Sequence, residues 1–319
     1  MTSDPKTATV SKRPTSLTAS VIRTDLRYQW ASGYSLYALA CCALASAAFA
    51  VGAYGTARGA LTSLHEEWAF LHEEGGYAFT QAIGLDDPTD APLQDTWHQA
   101  GTAMANLHIV QSTVSLLQVL CFVIAPVMFF TYGAVAATRD TYFKTLKFRA
   151  VRAGHQTLFV SQIATLVTMV AALTVAAMTL AVLISTGLSW ATSGRLDDPL
   201  VSVPSDLPVT DLIAPMLALL STGVFFALLG MGAGLALRRP LYVIPLFSAL
   251  FFVLPVAGRF DPRNLLMTLA YPHMAFTGGF TPTIPTPVPQ VPAALALMTE
   301  VLALLAIAYI STTRRSRYT

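Results

Sequence analysis

Three groups of residues in this chain have the types and spacing that chemistry requires. His65 and His72 stand seven apart in LHEEWAFLHEE, which puts both on one helix face, and with His98, Glu66, Glu73 and Asp95 they make the donor set of a metal site. The same segment reads more simply as an acidic, solvated helix. Glu300 lies in VPAALALMTEVLALLAIAYIST, with uncharged residues from Val291 to Thr299 and from Val301 to Ile310. A charge at mid-span costs about 3 kcal/mol on insertion scales. Glu300 is therefore expected to face other helices or a wet cavity, with Thr222 as a candidate hydrogen-bond partner, and either to hold a proton or to contact polar cargo. The third group is the glycine cluster GMGAG at 230–234. It lacks the lysine of a phosphate-binding loop and sits in an apolar run, so it reads as helix packing. G-x-x-x-x-G-K-[ST], H-E-x-x-H and C-x-x-C do not occur in the chain, so the sequence is expected to encode neither an ATPase nor a zinc hydrolase.

The elements that must position these residues follow from composition. Of 319 residues, 54% are hydrophobic and 11% charged, and the mean hydropathy is +0.58. That is too apolar and too sparsely charged for an ordinary soluble domain and implies an all-α polytopic membrane protein. The three cysteines, Cys41, Cys42 and Cys121, fall inside apolar runs and read as small packing residues rather than a disulfide framework. No nucleic-acid partner is expected; the lipid bilayer is.

Residues 1–15 read as a disordered basic tail. Over 16–30, Ala19, Ile22, Leu26 and Trp30 recur at helical spacing, which predicts an interfacial amphipathic helix with Tyr28 and Trp30 at headgroup depth and Asp25 towards its other side. Apolar runs then predict six spans near 32–57, 107–138, 158–188, 212–237, 241–257 and 293–311, the second kinked at Pro126. The first is expected to be an uncleaved anchor, because it exceeds the ~7–15 residues of a signal core. Between the first two spans, 58–106 reads as an extracytoplasmic helical hairpin, with Leu61, Leu64, Trp68 and Leu71 as a stripe that Gly75-Gly76 ends. Its second arm, with Pro92 in the first turn, is expected to run on into the second span. The stretch NLLMTLAYPHMA, 264–275, is too apolar for a free loop, and TPTIPTPVPQVP reads as an extended connector.

Charge orients these spans. Fifteen of the 19 basic residues fall in the tail and interfacial helix, in 139–152, at Arg238-Arg239 and at 314–317. Thirteen of the 17 acidic residues fall in the alternate segments. Six spans with both termini in the cytoplasm, in the plasma (cytoplasmic) membrane, satisfy the positive-inside rule at every loop. The island RDTYFKTLKFRAVRAGH, 139–155, is then a cytoplasmic helix. Its apolar face is Tyr142, Phe143, Leu146, Ala150 and Ala153, with Lys144, Lys147, Arg149 and Arg152 elsewhere.

This arrangement resembles the ABC-2-type permease family over Ser16 to Arg317: an amphipathic N-terminal helix, six spans, a basic helix between the second and third, and a semi-apolar outer segment before the last. RDTYFKTLKFRAVRAGHQTLFVSQ is similar to the family's acidic residue, short helix and basic turn, with Asp140 in the acidic position. The resemblance implies a six-span permease domain over 31–317, forming the substrate pathway of an ATP-driven exporter by alternating access. It implies dimerisation with a second permease subunit, identical or not, and an ABC ATPase subunit that carries the ATP and magnesium; this chain is expected to hold no cofactor and not to be an enzyme. It makes 139–155 the coupling helix, with Asp140, Tyr142, Phe143, Lys144, Leu146, Lys147 and Arg149 meeting the ATPase, and Glu300 and Thr222 on the substrate pathway. The rival readings are a secondary transporter, which would show paired repeats and several buried charges, and a non-transporting receptor or immunity module on the same fold.

Overall fold

The structure is a computed structural model that describes residues 14–76, 78–79, 91–142, 146–194, 196, 198, 200–237, 240–253, 258–274, 276, 286 and 288–315. Every regular element among these is helical. They are α1 (Pro14–Ala31), α2 (Tyr34–Gly75), α3 (Ala91–Ala105), α4 (Ile109–Val119), α5 (Ala125–Tyr142), α6 (Leu146–Ala153), α7 (His155–Thr192), α8 (Ile213–Leu237), α9 (Pro240–Val253), α10 (Pro262–Ala270) and α11 (Gln290–Arg315). Five helical segments among the described residues are long and apolar enough to cross a membrane: Tyr34–Glu73, Ile109–Arg139, His155–Thr192, Val209–Leu237 and Gln290–Ile310. The chain is a multi-pass membrane protein. The remaining expected span, 241–257, contains the 14-residue α9, about 21 Å at 1.5 Å per residue, and 254–257 lie outside the described residues. The tail before Pro14, Arg238, Arg239 and half of the proline-rich connector, 281–285 and 287, also lie outside them, and the last three connector residues, Gln290 to Pro292, open α11 instead of being extended.

Two boundaries differ from the sequence expectation. The first helix does not end near Ala57: α2 continues unbroken for 42 residues through the Leu61–Leu71 stripe, about 63 Å. Nothing from Arg58 to Leu64 breaks a helix, and Gly76, at φ 68°, closes it by donating its N–H to the His72 carbonyl. Conversely, α3 does not run into the second span. The chain turns at 106–108, and the Asp206 carboxylate accepts the Val110 and Gln111 N–H groups at 3.3 and 3.0 Å, so a distant residue starts a new helix there. The expected irregularity near Pro126 takes the form of a π turn, Leu120–Ile124, in which the Ala125 N–H reaches the Leu120 carbonyl five residues back.

The bundle is built on α8, which touches α4, α5, α7, α9, α10 and α11. Its tightest partner is α5. A Cβ added at Gly133 would fall inside the Ala227 carbonyl oxygen, and one at Gly230 inside that of Phe130. At Gly234 the Ala134 carbonyl would lie 2.9 Å away, so the GMGAG run lets two helix backbones touch. A second, smaller apolar cluster lies at the opposite end of the bundle from the basic island. There Leu61, Leu64, Leu93, Ala100 and Met104 of the α2 extension and α3 close over Val201.

Candidate functional site

At the basic end, α1 uses a polar face for packing. Asp25 is 5% exposed, and the Arg149 Nη2 donates to both of its carboxylate oxygens at 2.7 and 2.8 Å. Three residues on, the Tyr28 ring lies under the Arg139 guanidinium, 3.3 Å from its carbon to the ring centre. One residue further, the buried Gln29 accepts a hydrogen bond from the Tyr132 hydroxyl. Residues at i, i+3 and i+4 share a helix face, so Asp25, Tyr28 and Gln29 together fasten α1 to α5 and α6. Ile22 and Leu26 are half-buried, Leu26 against the main core, while Trp30 is 63% exposed. Both faces of α1 therefore carry contacts, where periodicity alone singles out the apolar one.

From Arg139 to Ala153 the basic island falls on two described helices. Its first residues end α5, and α6 begins at Leu146. Phe143 and Lys144 lie outside the described residues; Asp140, Tyr142, Leu146 and Lys147 lie in these two helices with only their backbone described. Arg149 turns to Asp25, within the chain. Among the described residues, the large apolar ones that α6 exposes are Phe148, at 76%, and Val151, at 88%, one turn apart on the same side. The helical arc read from the sequence, Tyr142, Phe143, Leu146, Ala150 and Ala153, includes neither.

At the other end, the six metal-site candidates are not gathered. Among the described residues no group of three or more His, Cys, Asp or Glu is placed to hold a metal ion. His65 instead places Nε2 2.9 Å from the Asp198 carboxylate and Nδ1 2.9 Å from the Leu61 carbonyl. The Trp97 indole N–H donates to the Leu200 carbonyl at 2.9 Å. These bonds dock Asp198 and Leu200 onto the hairpin. Trp68 of the stripe is half-buried, with its ring edge-on to Phe79.

Glu300 is half-buried, and its Oε2 is buried with no hydrogen-bond partner among the described residues. It does not bond to Thr222. The Thr222 hydroxyl, on the buried side of α8, lies 3.4 Å from the Cys121 thiol. Asp261 caps α10 by accepting the Arg263 N–H at 2.9 Å. Arg263 also donates Nε and Nη2 to Asp261, at 2.9 and 2.7 Å, and Nη1 to the Phe251 carbonyl. Hydrogen bonding to Asp261 raises the Arg263 pKa against a smaller opposing effect of burial, so the guanidinium holds its charge.

Thr222 does line a groove of about 800 Å³ between α8 and α10, whose hairpin-side mouth carries Asp211 and His273. Sequence reasoning also passed over a polar row on α4. Gln111, Ser112, Thr113, Ser115 and Gln118 are all buried; the Ser185 hydroxyl donates to Ser112 at 3.1 Å, and Ser115 to Asn106 at 3.4 Å. The signal was present as five uncharged polar residues in IVQSTVSLLQV. Attention to charge alone hides it. No family model, curated protein or solved structure matches this chain.

Proposed function

We propose that the chain is the transmembrane subunit of an ATP-driven exporter of the ABC-2 type, with six spans, both termini on the cytoplasmic side, and a second permease subunit beside it. The basic end would dock a separate ATPase that holds the nucleotide and magnesium. The observation that carries this reading is the clamp of Asp25, Tyr28 and Gln29. It ties the short basic helix α6 to α1 and α5, and α5 is in backbone contact with α8, so a push on α6 has a continuous packed route to the groove at the far end. Phe148 and Val151 supply an exposed apolar anchor of the kind that such docking requires. Arg149 then acts as an internal strut, and the acidic rim of the ATPase is left to the other basic residues of the island.

The test is a complex of the chain with an ABC ATPase subunit encoded beside it, reconstituted in proteoliposomes. Cargo is expected to accelerate ATP hydrolysis, and Phe148→Ala to abolish that acceleration while the permease stays folded. A chain that recruits no ATPase, or a Phe148→Ala complex with undiminished cargo-stimulated hydrolysis, overturns the coupling role.

A further inference from the structure

The groove between α8 and α10 has a polarity that suggests what fills it. Among the described residues, its lining contains one carboxylate, Asp211, one imidazole, His273, and no lysine or arginine. Asp211 is half-buried. Among the described residues no cation lies within ion-pair distance of it, and its nearest donor is the Thr210 hydroxyl at 3.5 Å, the limit of a hydrogen bond. Below this mouth the walls are Leu217, Leu266 and Leu269, down to Thr222. From Asp211 to Thr222 the groove follows α8 for about 16 Å at 1.5 Å per residue. Ile213 and Leu217 are 57% and 52% exposed, so the groove is open sideways, on the surface that faces lipid.

A half-buried carboxylate at one end of an apolar trough matches a cation at one end of an apolar chain. The geometry points to a binding site for an alkyl-ammonium amphiphile, drawn from the bilayer leaflet on the hairpin side, with its ammonium on Asp211, its neighbouring polar atoms at His273 and its tail along Leu217 and Leu266. As the cargo site this rests on the transport reading; as a binding site it is read on the chain alone.

The molecule carries its own control. A second groove of about 700 Å³, between α2 and α5, is lined by residues such as Tyr37, Cys41, Leu44 and Met128 and has no charged side chain. It is a trough of similar size without the carboxylate. Any apolar tail can lie in it, so head-group selectivity should separate the two.

The experiment uses the full chain in phosphatidylcholine nanodiscs and a dodecylamine bearing a diazirine in its tail, with photolabelled peptides mapped by mass spectrometry. Label is expected to concentrate on 210–222 and 266–274. Unlabelled dodecylamine should compete it away, and lauric acid should not. Asp211→Asn should lower labelling there about tenfold, the loss of one charge-assisted contact, and leave the second groove unchanged. Leu217→Trp, which fills the trough, should remove it. Even labelling of both grooves, equal competition by lauric acid, or an Asp211→Asn chain labelled like the parent overturns the proposal. Because no ATPase is present, failure here leaves the transport reading standing, and success does not depend on it.

Discussion

Two faces of the same helix, α5, are fastened in opposite ways. Towards α8 it presents Phe130, Gly133 and Ala134, and the two backbones touch with no side chain between them. Towards α1 and α6 it presents Tyr132 and Arg139, which meet Gln29 and Tyr28 through their polar tips. The first contact is short-range dispersion and sterics and has one geometry. The second is a set of hydrogen-bonding and charged groups that can exchange partners with water or lipid headgroups when displaced. α5 and α8 should therefore move as one body, and α1 with α6 is the part able to shift against it.

The largest expected effect comes from breaking the backbone seam. Gly133→Ala or Gly230→Ala forces α5 and α8 apart, at roughly 3 kcal/mol, the upper end for overpacking. Thermal unfolding of the detergent-solubilised protein should fall steeply; an unchanged midpoint would mean that the two helices are not in backbone contact. Asp25→Ala comes next, because it leaves Arg149 without its buried counter-charge. The penalty of about 3 kcal/mol for a buried pair is reduced to about 2 by the partial exposure of Arg149. Adding Arg149→Leu should recover most of it, and additive losses in that double mutant would exclude direct pairing.

Tyr132→Phe removes one hydrogen bond to a buried amide and should cost about 1 kcal/mol, measured by the same unfolding. Trp97→Phe, at the hairpin end, should cost a similar or smaller amount, because only the bond to Leu200 is lost while the apolar cluster around it remains. Phe148→Ala is the sharpest contrast of all. A residue 76% exposed should change stability by less than about 0.5 kcal/mol on truncation, so any larger functional loss in that variant reports a partner.

By itself, the sequence determined the class and much of the local structure. Long uncharged runs require helices in a bilayer, where every backbone group must bond internally. Gly75-Gly76 ends α2, and the glycines of 230–234 announce a close neighbour, since only small residues let helix backbones meet. Which neighbour, and which face, was decided by the tertiary structure. Lipid is as apolar as a helix interface, so hydropathy cannot distinguish the buried Leu297 from the exposed Leu302 on α11. Asp25 and Arg149 are 124 residues apart, Thr222 and Cys121 101, and neither pairing leaves a mark in local periodicity. The groove is assembled from 210–222 and 266–274; Asp211 reads in sequence as one more acidic loop residue, and only the packing of α8 against α10 sets it at the mouth of an apolar trough.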